Sequence, residues 1–166
     1  MQRNGSSVVL AARFVLAGAA AAFPAYVVSG ASKIDTIQLE PTSFNAGNTG
    51  RAMLMPQDGH THLVLQFTGV PPNTGLPVRL LTSIHEGSCR EPSPQAAYEL
   101  NDNVHVTTAS GRWARTMRGA FGLTHTVPLP PDELLGGRYG LLLRSMPADG
   151  GRTIFCGEVR RPSAPR

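Results

Sequence analysis

The chain carries two cysteines, Cys89 and Cys156, far apart in a sequence that opens on an apparatus for export. Exported chains meet oxidising conditions, so an intrachain disulfide is the economical assignment for the only two thiols. Closing a loop of that length removes freedom from the unfolded chain, worth about 4 kcal/mol less any native strain. A fold for this sequence therefore has to bring its middle beside its last strand.

The export reading rests on the N-terminal segment. Arg3 and Arg13 precede an uncharged apolar stretch over residues 14–28, and Ser29-Gly30-Ala31 offers small residues where a signal peptidase cuts. Cleavage after Ala31 divides the chain into a signal peptide over 1–31, a domain over 32–159 and a flexible tail over 160–166. The apolar stretch is shorter than the about 20 residues that a span requires. Pro24 interrupts it, so no stable membrane span is expected after cleavage, and no cysteine follows closely enough to carry a lipid. The expected location is periplasmic or extracellular.

Roughly 135 residues remain after cleavage, enough for one domain with one core. Arg3 and Arg13 leave with the leader, which halves the formal net charge of +4 and makes nucleic acid an unsuitable partner. Lys33 is the only lysine among 15 basic residues, an imbalance that reflects genome composition rather than phosphate recognition.

Short runs with strand character, separated by Gly, Pro, Asn and Asp, predict an all-β domain built as an antiparallel sandwich or barrel. The expected strands are 36–40, 50–55, 62–68, 78–85, 112–117, 123–127, 139–143 and 153–159. Gln57-Asp58-Gly59 supplies a hairpin turn between the second and third. In the third strand Leu63, Leu65 and Phe67 alternate with His62, Val64 and Gln66, so the first set faces the core. Residues 90–103 have no clean period and read as a long surface loop, while 131–137 can make one helical turn stopped by glycines.

Four ordered motifs carry a family resemblance: Gly69-Val70-Pro71-Pro72, then Ile84-His85-Glu86-Gly87-Ser88-Cys89, then Leu134-Leu135-Gly136-Gly137-Arg138-Tyr139, then Phe155-Cys156-Gly157-Glu158-Val159. Over residues 37–159 the chain resembles the copper/zinc superoxide dismutase-like superfamily. The resemblance implies an eight-stranded Greek-key β-sandwich in which Cys89 and Cys156 form the intrasubunit disulfide. It also implies a copper site made by a His-x-His pair before the first cysteine, a bridging histidine in the following loop and a histidine on the penultimate strand. Only His85 stands at such a position. Ser83 replaces its partner, Arg144 stands on the penultimate strand, and His105 is alone in the loop, without the clustered histidines and aspartate of a zinc site. The family's substrate-steering arginine falls at Thr153, one place from Arg152.

One imidazole neither sets the geometry of a copper ion nor holds it against competing chelators. A guanidinium has no lone pair to offer. Dismutase catalysis is therefore not expected; His85 instead reads as structural, tying its strand to the disulfide loop through a carbonyl. A different metal site is available at the hairpin. Met53, Met55, His60 and His62 flank the turn, and with Met55 opposite His60 and Met53 opposite His62 their thioether and imidazole donors suit Cu(I).

Ser83 and His85 share a strand face, but no carboxylate orients the imidazole and Glu86 points away, so a hydrolase is not supported. Trp113, among Arg112, Arg115 and Arg118, reads as a core tryptophan flanked by solvated arginines rather than a stacking surface for polyanions or sugars. Two function classes follow. The first is a noncatalytic extracytoplasmic domain with a structural role or a role in binding a protein partner or small ligand, without cofactor. The second is a copper-binding protein or divergent copper-dependent dismutase.

Overall fold

The structure, a computed structural model, describes residues 33–161. The expected signal peptide over 1–31 and residues 162–166 of the expected tail lie outside the described residues. The period-two pattern of the sequence becomes nine antiparallel strands: β1 (Asp35–Pro41), β2 (Gly50–Gln57), β3 (His60–Gly69), β4 (Leu80–Gly87), β5 (Pro92–Glu99), β6 (Thr107–Thr108), β7 (Arg118–Val127), β8 (Tyr139–Ser145) and β9 (Thr153–Val159). One short helix, α1 (Pro131–Gly136), precedes β8; Pro131 starts it and Gly137 closes it by donating to the Glu133 carbonyl.

The strands form one curled sheet in the order β5-β4-β8-β9-β1-β2-β3-β7-β6. β1 is the corner. Its first part, Asp35 to Leu39, pairs with β2, and its end, Glu40 and Pro41, pairs with β9. The curl turns the inner faces of the two halves toward each other. Phe67 on β3 lies 5.7 Å, centroid to centroid, from Phe155 on β9, and Leu39, Leu54, Leu65, Leu80, Leu141 and Leu143 are fully buried around them. Leu63, Leu65 and Phe67 face this core, as alternation predicts, and His62, Val64 and Gln66 face outward, half-exposed.

Three expectations are corrected. The sheet has nine strands rather than eight. Residues 90–103, expected to be a loop, contain β5, which is an edge strand paired only with β4, where Pro92 and Pro94 are tolerated. Both faces of β5 are largely wet, and that erased the alternation that would have revealed it. The strand expected over 112–117 does not form; the segment makes an isolated bridge from Trp113 to Thr107 and scattered backbone hydrogen bonds, and β7 starts at Arg118, earlier than the expected 123. Gly122 has little strand propensity of its own and is recruited by pairing with Gln66 on β3, while Gly119 and Ala120 fall at the irregularity between the Phe67–Phe121 and Gly69–Arg118 pairs.

Cys89 and Cys156 are joined, with their Cα atoms 5.8 Å apart and a sequence separation of 67. The bond fits a chain that matures in an oxidising compartment. Among the described residues no helix is long and apolar enough to cross a membrane.

Candidate functional site

The residues of the Ile84-His85-Glu86-Gly87-Ser88-Cys89 motif form the end of β4 and the loop that the disulfide fastens. Ser83 and His85 share the outward side of β4, yet both are buried. The reason is the loop. His85 pairs with Gly140 on β8, which pairs in turn with Glu158 on β9. A methyl at Gly140 would touch the backbone of Ser88 and Cys89 at 3.5 Å, so this part of the loop lies over Gly140 between His85 and Glu158. Glu158 accepts the Cys89 N–H through Oε1 at 2.9 Å. Gly87 turns the chain at φ +96, and a Cβ there would sit 2.4 Å from the Glu91 carbonyl oxygen, so no other residue makes this turn without strain.

Under the loop His85 is bonded at both ends. Nδ1 lies 2.7 Å from the Ser93 carbonyl oxygen and Nε2 lies 2.9 Å from the Ser83 hydroxyl. A carbonyl can only accept, so Nδ1 is the donor to Ser93, and Nε2 is taken up by the Ser83 hydroxyl. This donor set does not fit a copper centre: one imidazole stands where the resemblance places several, and its Nε2 is already bonded to the Ser83 hydroxyl. Arg144 is exposed, two residue pairs along β8 from the pair that Ser83 makes with Leu142, and donates through Nη2 to the Gly151 carbonyl at 2.9 Å. Thr153 pairs with Arg144, and Arg152 places its guanidinium 4.3 Å from the ring centroid of Phe44. The Ser83–His85 pair is oriented by a carbonyl instead of a carboxylate and is closed off from solvent, which leaves a nucleophile no substrate to reach.

At the hairpin the expected pairing shifts. The turn is the two residues Asp58 and Gly59, at φ 48 and 79, so Gln57 meets His60 and Met55 meets His62, while Met53 meets Val64. The expected partners, Met55 with His60 and Met53 with His62, are each displaced by two residues because the loop is shorter than that register needs. Parity is unchanged, so Met53, Met55, His60 and His62 still share the outer face. His60 donates from Nδ1 to the Asp58 carbonyl at 2.9 Å. This cluster and His85 lie in different halves of the sheet. Among the described residues no group of three or more His, Cys, Asp and Glu side chains could hold a metal ion.

Two further features were not read from the sequence. His125 on β7 faces inward and shares a hydrogen bond of 2.8 Å between Nε2 and the Thr82 hydroxyl on β4, tying the two halves through the core. Burial pushes its pKa down from 6.5 to about 4, with the charge of Asp102 opposing. The signal was present, since His125 falls in step with the core residues Leu123 and Val127. The second feature is a correction. Trp113, expected in the core, is 53% exposed, and the imidazole of His105 stacks on it at 4.7 Å and 10°.

No protein-family model matches the chain, and neither the curated proteins nor the solved structures contain a match to it.

Proposed function

We propose that the chain is an extracytoplasmic, noncatalytic domain of the superoxide dismutase-like type, a Greek-key β-sandwich kept for structure and partner binding after its copper chemistry was lost. One observation carries this reading: the histidine at the position where the resemblance puts copper has the Nε2 that a metal would need bonded to the buried Ser83 hydroxyl. Binding a metal at Nε2 would require breaking a buried hydrogen bond and leaving the Ser83 hydroxyl without its partner. The ordered motifs and the disulfide that spans them support the family reading, and the curl of the sheet around β1 is compatible with a sandwich. The test is elemental analysis of the exported, disulfide-bonded protein together with a superoxide disproportionation assay. Copper and zinc far below stoichiometric amounts and no dismutation are expected. Stoichiometric metal that is lost on His85→Ala would overturn the proposal.

A second reading, Cu(I) binding at the hairpin, is favoured by the direct pairing of Met55 with His62 and by the orientation of His60. A ligating imidazole commonly donates its other N–H to a carbonyl, as His60 does. Titration with Cu(I) against a competing chelator separates the readings, because hairpin copper would be lost on His62→Ala and kept on His85→Ala.

A further inference from the structure

Three chain segments meet at one edge of the molecule and divide their residues by the same rule. Val78, Val106 and Ala114 are fully buried, and their backbones are linked: Val78 N–H donates to the Ala114 carbonyl at 2.8 Å, Ala114 N–H to Val106 at 2.9 Å and Val106 N–H to Val78 at 3.2 Å. Their neighbours face out. Arg79 bridges to His105, and His105 stacks on Trp113. Ala114 points inward, so Arg115, like Trp113, points outward and is exposed.

Two features here work against stability. A tryptophan is left more than half exposed, and the His105 Nδ1 is buried without any hydrogen-bond partner. Burying an unpaired ring nitrogen is unfavourable, and an exposed indole forgoes the burial that usually recruits it. Local rules of folding are broken in this way mainly where a surface has a task. What the arrangement achieves is a presented plate: the imidazole stacks on the indole, and more than half of the tryptophan stays open to solvent. Arg79, Arg112 and Arg115 are all exposed, and among the described residues none of them pairs with a carboxylate.

We propose that Trp113, backed by His105 and flanked by Arg79 and Arg115, binds an acidic saccharide, with a sugar ring lying on the exposed indole and its carboxylate held by the guanidiniums. The chemistry of each part selects this ligand. A flat, polarisable ring receives the apolar C–H face of a pyranose, and planar guanidiniums match a carboxylate in a forked geometry. A nucleic acid is a poorer fit. Sites for single strands interleave several aromatic rings along a basic groove, whereas this surface has one indole on a chain with a small net charge. The inference rests on the exposed cluster and is independent of whether copper binds elsewhere.

Trp113 is the only tryptophan, so its fluorescence reports on this surface alone. The exported protein is titrated with an oligogalacturonate, with neutral dextran and with oligothymidylate as comparisons. A saturable change in indole emission is expected with the uronate, weakening with salt and weakening about tenfold on Arg79→Ala or Arg115→Ala. Dextran and oligothymidylate are expected to bind at least about tenfold more weakly. The proposal is overturned if the uronate leaves the emission unchanged, if dextran matches it, if oligothymidylate binds more tightly, or if both arginine variants bind like the parent. The substitutions remove exposed side chains, and circular dichroism of each variant verifies that the fold is retained.

Discussion

Glu158 accepts the backbone N–H of Cys89 at 2.9 Å, and Glu158 stands two residues from Cys156, the cysteine to which Cys89 is bonded. The loop after β4 is thus fastened to β9 twice, once covalently and once by a charge-assisted hydrogen bond. The two fastenings act on different states. The disulfide limits the unfolded chain, while the carboxylate contact exists only in the folded one.

The double variant Cys89→Ser with Cys156→Ser is expected to lose about 4 kcal/mol in urea unfolding, and Glu158→Ala alone about 1–2 kcal/mol. Equal losses from the two would show that the loop is not closed as described.

His85 is expected to matter for stability rather than for metal content. Its removal leaves the buried Ser83 hydroxyl and the half-buried Ser93 carbonyl unpaired, so His85→Ala should cost about 2–4 kcal/mol and Ser83→Ala about 1 kcal/mol. Chemical denaturation measures both. Variants as stable as the parent would count against the buried chain of hydrogen bonds.

His125 makes stability depend on pH. Its pKa is about 4 when folded and 6.5 when free, so between these values the unfolded chain binds the extra proton. Stability from this source is fully present above pH 6.5 and is lost as pH falls toward 4, at up to about 1.4 kcal/mol per pH unit and about 3 kcal/mol in all. His125→Gln keeps a polar group toward Thr82 and cannot titrate, so its stability should vary less between pH 7 and 4. An unaltered slope in thermal melts across that range would refute the assignment.

Two glycines at positive φ should respond differently to alanine. At Gly59, φ +79, a Cβ meets nothing within 4 Å, so Gly59→Ala costs backbone strain alone, about 1 kcal/mol. At Gly87 the Cβ would overlap the Glu91 carbonyl oxygen, so Gly87→Ala should exceed about 3 kcal/mol. Comparing their unfolding midpoints tests whether the loop over His85 is as tight as the hairpin turn is open.

Much of the architecture could be read from local pattern. Leu63, Leu65 and Phe67 announce one face of β3, Asp58-Gly59 announces the hairpin, and Pro131 followed by Gly136 and Gly137 announces α1. The same pattern carried His125 to the inner face between Leu123 and Val127, although that assignment requires treating a histidine as a core residue. β5 was hidden for the opposite reason: with one edge free and neither face deeply covered, it needs no alternation and tolerates two prolines. The hairpin cluster lay between these cases. Its shared face follows from parity, but which methionine meets which histidine depends on loop length.

The sequence by itself determined the quantities that are local or countable: strand faces, turn residues, and a disulfide from its only two thiols. Tertiary structure alone decided what covers each face. Ser83 and His85 point outward on β4, and only the return of the Cys89 loop over Gly140 and the arrival of the Ser93 carbonyl from β5 at the imidazole Nδ1 enclose them. Trp113 has the composition of a core residue, yet Ala114 takes the inward place beside it. Burial is a property of segments distant in sequence meeting in space, and a single strand's pattern states which side a residue takes without stating what arrives there.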